Sequence, residues 1–281
     1  MSKLSKRKKY SNWLWNYLRD VPLWEPPRDR TKLYPSDSRN NVYPFKWEHL
    51  RFWRSEEWKE IKQFLKERQE LGYEVYPSFD LKYVFRPLLL TSFKETKIVI
   101  VGQDPYPQKG MADGLAFSVL PTVSKIPGSL GNILSEYRED LQFRYPRSGD
   151  LSYWARNGIL LINTVWTIEG RPHKENKGDF RTRKSSHYKI NGKQLWQELT
   201  AEIFQQLSKR KDKLVFILWG KSAQEWRYLI DETKHLVLVG AHPSPRNFTL
   251  TAKDGIKFFG GKYFSKACEY LDLPKTIWRL P

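Results

Sequence analysis

Asp104, Asn163 and His242 each lie at or just beyond the end of a short apolar run, where their side chains could do chemistry. Together they offer a carboxylate, an amide and an imidazole, which can stabilise charge, read a hydrogen-bonding edge and donate a hydrogen bond. Taken singly, each is also an ordinary turn, capping or buried residue. In an open parallel sheet ligands bind beyond the carboxyl ends of the strands, so their joint placement favours one shared site.

The apolar runs have the composition of buried strands. They are nearly continuous in β-forming residues instead of alternating with polar ones, as in parallel strands covered on both faces. Helical patterns lie between them, and this alternation gives a parallel sheet with right-handed crossovers. The sequence therefore predicts an α/β fold with a central, four-stranded, mainly parallel sheet flanked by helices. The four runs are 97–102, 159–165, 214–220 and 236–241.

Apolar periodicity predicts helices at 55–72, 129–140 and 193–208, with Ser55 as the N-cap of the first. We expect the first helix to be structural. Its apolar face consists of Trp58, Ile61, Phe64 and Leu65, and that of the last helix consists of Leu195, Leu199, Ile203 and Leu207.

Composition limits the class of protein. The chain has 281 residues, of which 40% are hydrophobic, as expected for one large globular core with a short appendage. The 49 Lys and Arg residues against 31 Asp and Glu give a net charge of +18, which favours nucleic acid as a partner over a membrane surface. The single cysteine, Cys268, excludes an intramolecular disulfide and cysteine-based metal sites, so we expect it to fill the core of a protein from a reducing compartment.

The N-terminal segment 1–45 is basic and rich in proline, with ten Lys or Arg against four Asp or Glu. It predicts a basic arm with a Pro-rich connector, and the run 6–9 (KRKK) is either a solvated tail or a targeting or DNA-contacting segment. No apolar run approaches the roughly 18 residues that cross a bilayer. The start of the chain also lacks the apolar region of a secretory signal. We expect a cytoplasmic or nucleoid location, or the nucleus if the source is eukaryotic or viral.

Two tripeptides match part of a known functional motif but lack the residues that would complete it. The tripeptide 220–222 (GKS) ends like a phosphate-binding loop, but the glycine required five residues earlier is Val215. The tripeptide 173–175 (HKE) matches half of a zinc deaminase signature, whose second half needs two cysteines. Neither a nucleoside triphosphatase nor a metal site is predicted. Four histidines are interpreted as structural or surface residues: His49, His173, His187 and His235.

Seven longer strings are specific enough to indicate a family: VIVGQDPYP, GLAFSV, PGSLGNI, GDLSYWARNGILLINTV, VFILWGKSAQ, AHPSPRNF and FFGGKYFSKACEYL. In their order and approximate spacing over residues 76–271 they resemble the family 1 uracil-DNA glycosylases. The resemblance implies a glycosylase-like catalytic domain at 46–281 that is monomeric and needs no cofactor. It implies an enzyme that flips uracil out of single- or double-stranded DNA and hydrolyses the N-glycosidic bond, leaving an abasic site.

Matching positions carry the family's roles onto this sequence. Asp104 would orient or activate water and stabilise the sugar cation, while His242 would stabilise the departing base. Asn163 would read the Watson–Crick edge of the base. The other matches are Gln103 and Phe117, which would line and stack on the base, Tyr106, which would block the C5 position, and Ser129 and Ser244, which would hold phosphates.

The reaction itself calls for these residue types. Cleavage of a base–sugar bond builds positive charge on the sugar and negative charge on the base, so the site needs an anion and a hydrogen-bond donor. A flipped uracil presents an O4 acceptor and an N3–H donor, which one amide can satisfy, whereas cytosine presents the reverse pattern. Asn163 is therefore the predicted discriminator. Backbone N–H groups and the hydroxyl near Ser129 can bind a phosphate at a helix start.

The sequence departs from the family in three places. Pro107 replaces a histidine that assists water or phosphate binding, which puts the rate in doubt more than the reaction. Arg246 replaces the intercalating leucine, so we expect it to contact DNA in the vacated base space. The segment 171–193 is longer than in the family and holds eight Lys or Arg against two Asp or Glu, as either a solvated or a DNA-contacting loop.

Two alternatives stay open at this point. The first is a DNA-binding replication or processivity subunit that keeps the fold and reaches a replication protein through the basic arm. Pro107, Arg246 and the basic arm keep this alternative open. The intact Asp104, Asn163 and His242 favour the enzyme. The second is a relative that excises a different base, and Tyr106 speaks against thymine because its ring would occupy the space of the C5 methyl group.

Overall fold

The computed structural model describes residues 47–170, 189–190, 193–245 and 257–281. The predicted arm at 1–45, most of the basic segment 171–193 and Arg246 lie outside the described residues. The helices of the described part are α1 (Glu56–Glu70), α2 (Leu81–Val84), α3 (Arg86–Leu90), α4 (Gly128–Leu141), α5 (Ser152–Arg156), α6 (Gln197–Ser208), α7 (Lys221–Gln224) and α8 (Tyr263–Leu271). The strands are β1 (Glu74–Tyr76), β2 (Ile98–Gly102), β3 (Ile159–Asn163), β4 (Ile168–Gly170), β5 (Lys189–Ile190), β6 (Lys193–Gln194), β7 (Val215–Trp219) and β8 (Leu236–Gly240). Short 3-10 helices lie at Trp47–His49, Arg51–Arg54, Arg227–Leu229 and Lys275–Trp278.

The central sheet has four parallel strands in the order β3-β2-β7-β8, so the predicted α/β architecture is confirmed. Each of the four apolar runs forms one strand. The strands β2, β3 and β7 are buried along their whole length, as their continuous apolar sequences indicate. The expectation of burial on both faces is wrong for β8, an edge strand whose first four residues are only partly buried, whereas β3 at the other edge is fully covered.

Successive strand residues point to opposite faces of the sheet and build two apolar cores. Val99, Val101 and Phe216 belong to a core that also contains residues of α1 and α6. Ile98 and Ile100 belong to a second core, with residues of α4, α5 and α8. Helices therefore cover both faces of the sheet, and Cys268 of α8 is buried, as expected of a core residue.

Helix α1 follows its sequence prediction closely. The Ser55 hydroxyl accepts a hydrogen bond from the Trp58 backbone N–H at 3.1 Å, which satisfies one of the unpaired donors at the helix start. Trp58, Ile61 and Leu65 are buried, and Phe64 packs at the edge of the same core.

The predicted start of the next long helix at Lys193 is wrong. Helix α6 begins at Gln197, and Lys193–Gln194 instead pair in antiparallel fashion with Lys189–Ile190. Trp196 takes a left-handed conformation with φ of 74° and is fully buried, so a tertiary contact interrupts the helical periodicity there. The antiparallel pair of β1 with β4 also has no counterpart in the sequence prediction, because each strand has only three residues.

No helix in the described ranges is long and apolar enough to cross a membrane.

Candidate active site

The carboxyl ends of β2, β3, β7 and β8 share one edge of the sheet, because all four strands are parallel. At this edge Gly102 lies directly opposite Asn163. The chain beyond β2 stays bound to the chain beyond β3, since the Gln103 carbonyl accepts hydrogen bonds from the Val165 N–H at 2.9 Å and the Thr164 hydroxyl at 3.0 Å. The partly buried Asp104 is thereby held at the same edge as Asn163.

Asn163 is 4% exposed, and its Oδ1 atom has no hydrogen-bond partner in the described structure. An unpaired buried polar atom costs on the order of 1–3 kcal/mol, so this oxygen suits an incoming hydrogen-bond donor. Gly102 makes its position possible, because a Cβ atom at residue 102 would overlap Oδ1 of Asn163. The predicted amide is therefore presented at the sheet edge with its acceptor unsatisfied.

Gln103 is oriented by a residue that sequence reasoning set aside. The Ser222 hydroxyl, in the short helix α7 just after β7, donates a hydrogen bond to Gln103 Oε1 at 3.1 Å. The tripeptide 220–222 does not fit a phosphate-binding loop, but its place at a strand end is a sequence signal for a residue of the site. Gly220, the first residue of this tripeptide, packs beside His242.

The ring of His242 has a defined hydrogen-bonding pattern. Its Nδ1 atom accepts the backbone N–H of Ser244 at 3.1 Å, so the neutral ring carries its proton on Nε2. Burial lowers the pKa of His242 below its ordinary value of 6.5. The residue can therefore act as a neutral Nε2–H donor near neutral pH.

Phe117 supplies an aromatic face beside this histidine. Its ring centroid lies 6.3 Å from that of His242 and 5.8 Å from that of Trp219. Its φ of 64° is in the left-handed region, which is unfavourable for a bulky residue and marks a backbone held by its surroundings. Part of that support is Tyr106, whose hydroxyl donates to the Phe117 carbonyl at 3.0 Å. Burial raises the pKa of Tyr106 far above its ordinary value of 10.0, so the hydroxyl stays a donor.

The two predicted phosphate-binding serines lie in segments that pack on each other. Gly128, which precedes Ser129 at the start of α4, lies so close to Pro245 that a Cβ atom there would overlap the proline ring. Asn132 of the same helix donates from Nδ2 to the Pro243 carbonyl at 2.8 Å. This packing ties the segment 242–245 to the first turns of α4.

The structure thus places most of the predicted site residues around one edge. Pro107 is exposed near this edge, while Arg246 falls outside the described residues. Among the described residues no group of three or more His, Cys, Asp and Glu is arranged to hold a metal ion. The residues brought to the edge are Gln103, Asp104, Tyr106, Phe117, Asn163, Ser222 and His242.

Known proteins resemble this chain over most of its length. The uracil DNA glycosylase superfamily matches residues 90–272. A protein named uracil-DNA glycosylase from Azotobacter vinelandii is 40% identical over 226 residues, which cover 79% of this chain and 87% of that protein. A protein of the same name from Enterococcus faecalis is 40% identical over 227 residues, with coverage of 80% and 89%.

Solved structures share the fold. The crystal structure of mimivirus uracil-DNA glycosylase has a TM-score of 0.68 at 21% identity, covering 94% of this chain and 99% of that one. A variant of the mimivirus protein in complex with UGI gives a TM-score of 0.70 at 22% identity, with coverage of 91% and 97%. Because the superfamily match spans more than half of the sequence and the bacterial relatives are 40% identical over most of it, the chain belongs to the uracil DNA glycosylase superfamily.

Proposed function

We propose that this protein is a family 1 uracil-DNA glycosylase, which flips uracil out of DNA and hydrolyses its N-glycosidic bond in base excision repair. The observation that carries the proposal is the buried Oδ1 atom of Asn163, unsatisfied in the described structure and lying beside Gly102. Uracil N3–H can donate to this oxygen, and uracil O4 can accept from the amide nitrogen of the same side chain. Cytosine presents an acceptor at N3 and a donor at its amino group, which is the reverse of uracil. Both of its contacts with the Asn163 amide would therefore be unfavourable.

The other residues divide the chemistry between the two fragments. Bond cleavage leaves positive charge on the sugar, which the carboxylate of Asp104 stabilises while it orients the attacking water. The electrons of the broken bond pass to the base, whose O2 atom accepts a hydrogen bond from Nε2–H of His242. A neutral donor suits this task because it stabilises the developing anion and keeps its proton. Water then adds to the sugar carbon and gives one proton to the Asp104 carboxylate. This proton passes through solvent to the uracil anion, so the products are an abasic sugar and neutral uracil.

Base selection rests on two further side chains. The ring of Phe117, whose centroid lies 6.3 Å from that of His242, stacks on the flipped base. Tyr106, held by its hydrogen bond to the Phe117 carbonyl, closes the position that a C5 methyl group would occupy. Thymine is rejected by this ring.

A DNA-binding replication or processivity subunit with weak or altered base-excision activity is the disfavoured alternative. Binding of DNA by phosphate contacts needs neither a buried, unsatisfied amide oxygen nor a histidine with a defined tautomer. Relatives across most of the chain are named as glycosylases. The monomeric state, a replication-protein partner for the arm at 1–45, and a cytoplasmic location like that expected in the bacterial relatives stay predictions.

Uracil excision from a labelled oligonucleotide tests the proposal directly. Under single-turnover conditions, alkali should cleave the product of the wild-type protein, and Asp104→Asn and His242→Ala should each slow excision by about 10²- to 10³-fold. DNA affinity should change little, because neither residue is assigned to phosphate binding.

The control is His49→Ala, since His49 is an exposed histidine near the start of the described chain. Its excision rate should equal that of the wild type. Absence of alkali-labile product from the wild-type protein, or wild-type rates in both site variants, would refute the assignment.

A further inference from the structure

A pocket of about 600 Å³ lies beside α4, apart from the candidate active site. Aromatic and arginine side chains dominate its wall, none of its lining side chains is acidic, and Pro281, the last residue of the sequence, is also part of the wall. We call it the arginine–tyrosine pocket. Its defining residues are Tyr137, Phe143, Arg144, Tyr145, Arg147 and Arg279.

The positive charge of this pocket is not neutralised by the nearest carboxylates of α4. Glu136 accepts the backbone N–H groups of Gly260 and Lys262, at 2.8 and 2.9 Å. Asp140 accepts those of Phe264 and Ser265, both at 2.9 Å. Both carboxylates are thus committed to the start of α8, and the third, Glu139, is not part of the pocket wall.

The arginines of the pocket are available to an anion. Arg144 and Arg147 are exposed, and so is Arg279, whose guanidinium lies over the Phe143 ring at 5.2 Å from its centroid. That cation–π contact holds the Arg279 side chain in place. The planar guanidinium group of an arginine is suited to the paired oxygens of a phosphate.

The aromatic rings add a second mode of recognition. Tyr145 is 39% exposed, so part of this residue is accessible to a ligand. The alternation of aromatic and arginine residues at 143, 144, 145 and 147 matches a surface that takes unpaired bases and phosphates of one strand. A duplex, whose bases are stacked inside, would offer no ring to Tyr145.

The pocket and the predicted phosphate site both border the first turns of α4. The Tyr145 hydroxyl lies 3.8 Å from the position that a Cβ atom of Gly131 would occupy. Gly131 is two residues beyond Ser129, which is a rise of about 3 Å and a rotation of about 200° around α4, so the two sites lie on different sides of this helix.

We infer that the arginine–tyrosine pocket is a second contact site for single-stranded DNA, with Arg144 and Arg147 on phosphates and one unpaired base stacked on Tyr145. The inference rests on the proposed function, because a DNA glycosylase is the protein that would bring such a strand to this surface.

Binding of fluorescein-labelled oligothymidylates tests the pocket without any excision step. The wild type should bind an oligomer of about 16 nucleotides far more tightly than one of about 4, because only the long one fills both sites. The variant Arg144→Gln with Arg147→Gln should lower the slope of log affinity against log salt by about 1.4, as expected for two lost single-strand phosphate contacts.

The matched control removes the same charge elsewhere. Lys209→Gln with Lys211→Gln changes two exposed lysines between α6 and β7, at the opposite edge of the sheet from the candidate active site. Its salt slope should equal that of the wild type. Equal slopes in all three proteins would overturn the inference.

Substitutions of Tyr145 separate stacking from charge. Tyr145→Ala should weaken binding of the long oligomer by about tenfold, and Tyr145→Phe should retain it, because base–aromatic stacking needs the ring and not the hydroxyl. Equal losses in both variants would contradict stacking. A short polyglutamate peptide is then added as a competitor at equal ionic strength. If it displaces the long oligomer from the wild type but not from the double arginine variant, the pocket is reassigned to an acidic peptide.

Excision from a short uracil oligonucleotide keeps the two proposals apart. All pocket variants should excise uracil from an oligomer of about 4 nucleotides at the wild-type rate, since it does not reach the pocket. A wild type that excises nothing, yet shows the predicted length dependence with oligothymidylate, would refute the glycosylase assignment and leave the pocket in place. Excision without that length dependence would refute the pocket alone.

Discussion

At the scale of single residues, the protonation state of His242 is set by two independent features. Burial disfavours its charged form, and the Ser244 N–H bound to Nδ1 requires a lone pair on that atom. Both favour the neutral ring with its proton on Nε2. A doubly protonated ring would lose the Ser244 contact and place a second N–H against a donor.

The titration of His242 follows from this arrangement. Its NMR midpoint should lie below the ordinary 6.5, assigned by comparison with His242→Gln, and the neutral ring should be the Nε2–H tautomer. Because the folded state binds the proton more weakly than the unfolded state, the contribution of His242 to stability is present above pH 6.5 and is lost as the pH falls through the lowered folded pKa. A midpoint at or above 6.5, or an Nδ1–H tautomer, would contradict this account.

At the scale of elements, the start of α4 and the segment 242–245 act as one unit. Gly128 admits the ring of Pro245, and Asn132 holds the Pro243 carbonyl. The same segment contains His242, so the packing that positions a predicted phosphate-binding serine also positions the donor to the base. A substitution at the start of α4 should therefore change the rate of excision.

Gly128→Ala tests this coupling. The new methyl group must displace Pro245, and a shift of about 1 Å in a catalytic group can cost up to about 10²-fold in rate. We expect slower single-turnover excision and weaker DNA binding, with little loss of thermal stability.

Gly131→Ala is the matched control, in the first turns of the same helix. Its methyl group would meet nothing closer than the Tyr145 hydroxyl at 3.8 Å, an ordinary contact. Helix propensity should then raise stability by up to about 1 kcal/mol, without loss of excision. Identical excision rates for both alanine variants would rule out the coupling.

At the scale of the whole molecule, a buried ion pair joins segments that are far apart in the sequence. Arg86 of α3 contacts the fully buried Asp113 at 2.5 Å and the Ser152 hydroxyl of α5 at 2.7 Å. Asp113 also accepts the Ser118 hydroxyl at 2.7 Å. Since Ser118 follows Phe117, this network supports the strained backbone of the predicted stacking residue.

Removal of the Arg86 cation should leave the buried Asp113 carboxylate unpaired and so destabilise the fold. Burial raises the pKa of Asp113, and Arg86 opposes that shift. Arg86→Met should therefore lower the free energy of unfolding by about 3–5 kcal/mol at neutral pH. With the folded pKa raised, the deficit is largest above that pKa and shrinks as the pH falls through it, because a protonated Asp113 needs no cation.

Urea unfolding at neutral and acidic pH measures this effect. The control is Arg227→Met, which breaks a half-exposed ion pair with Glu232 and should cost less than about 1 kcal/mol at either pH. Equal losses in the two variants, or a loss in Arg86→Met that does not diminish in acid, would argue against a charged network.

The strands, the sheet type and the edge that holds the candidate site could be predicted from the sequence. Continuous apolar runs bury both faces of a strand, and parallel strands bring their carboxyl ends together, so Asp104, Asn163 and His242 had to meet at one edge. Long runs and helices with caps such as Ser55 are local signals, and local signals can be read in order along the chain.

Only the tertiary structure decided the contacts between residues distant in sequence. The hydrogen bond from Ser222 to Gln103, the close packing of Gly128 on Pro245 and the left-handed turn at Trp196 depend on which segments become neighbours. The same holds for the arginine–tyrosine pocket, where Arg279 lies over the ring of Phe143. Such pairs produce no periodic pattern in the sequence. Each depends on one close contact in space, whereas a periodic pattern arises when every turn or every second residue of an element meets the same surroundings.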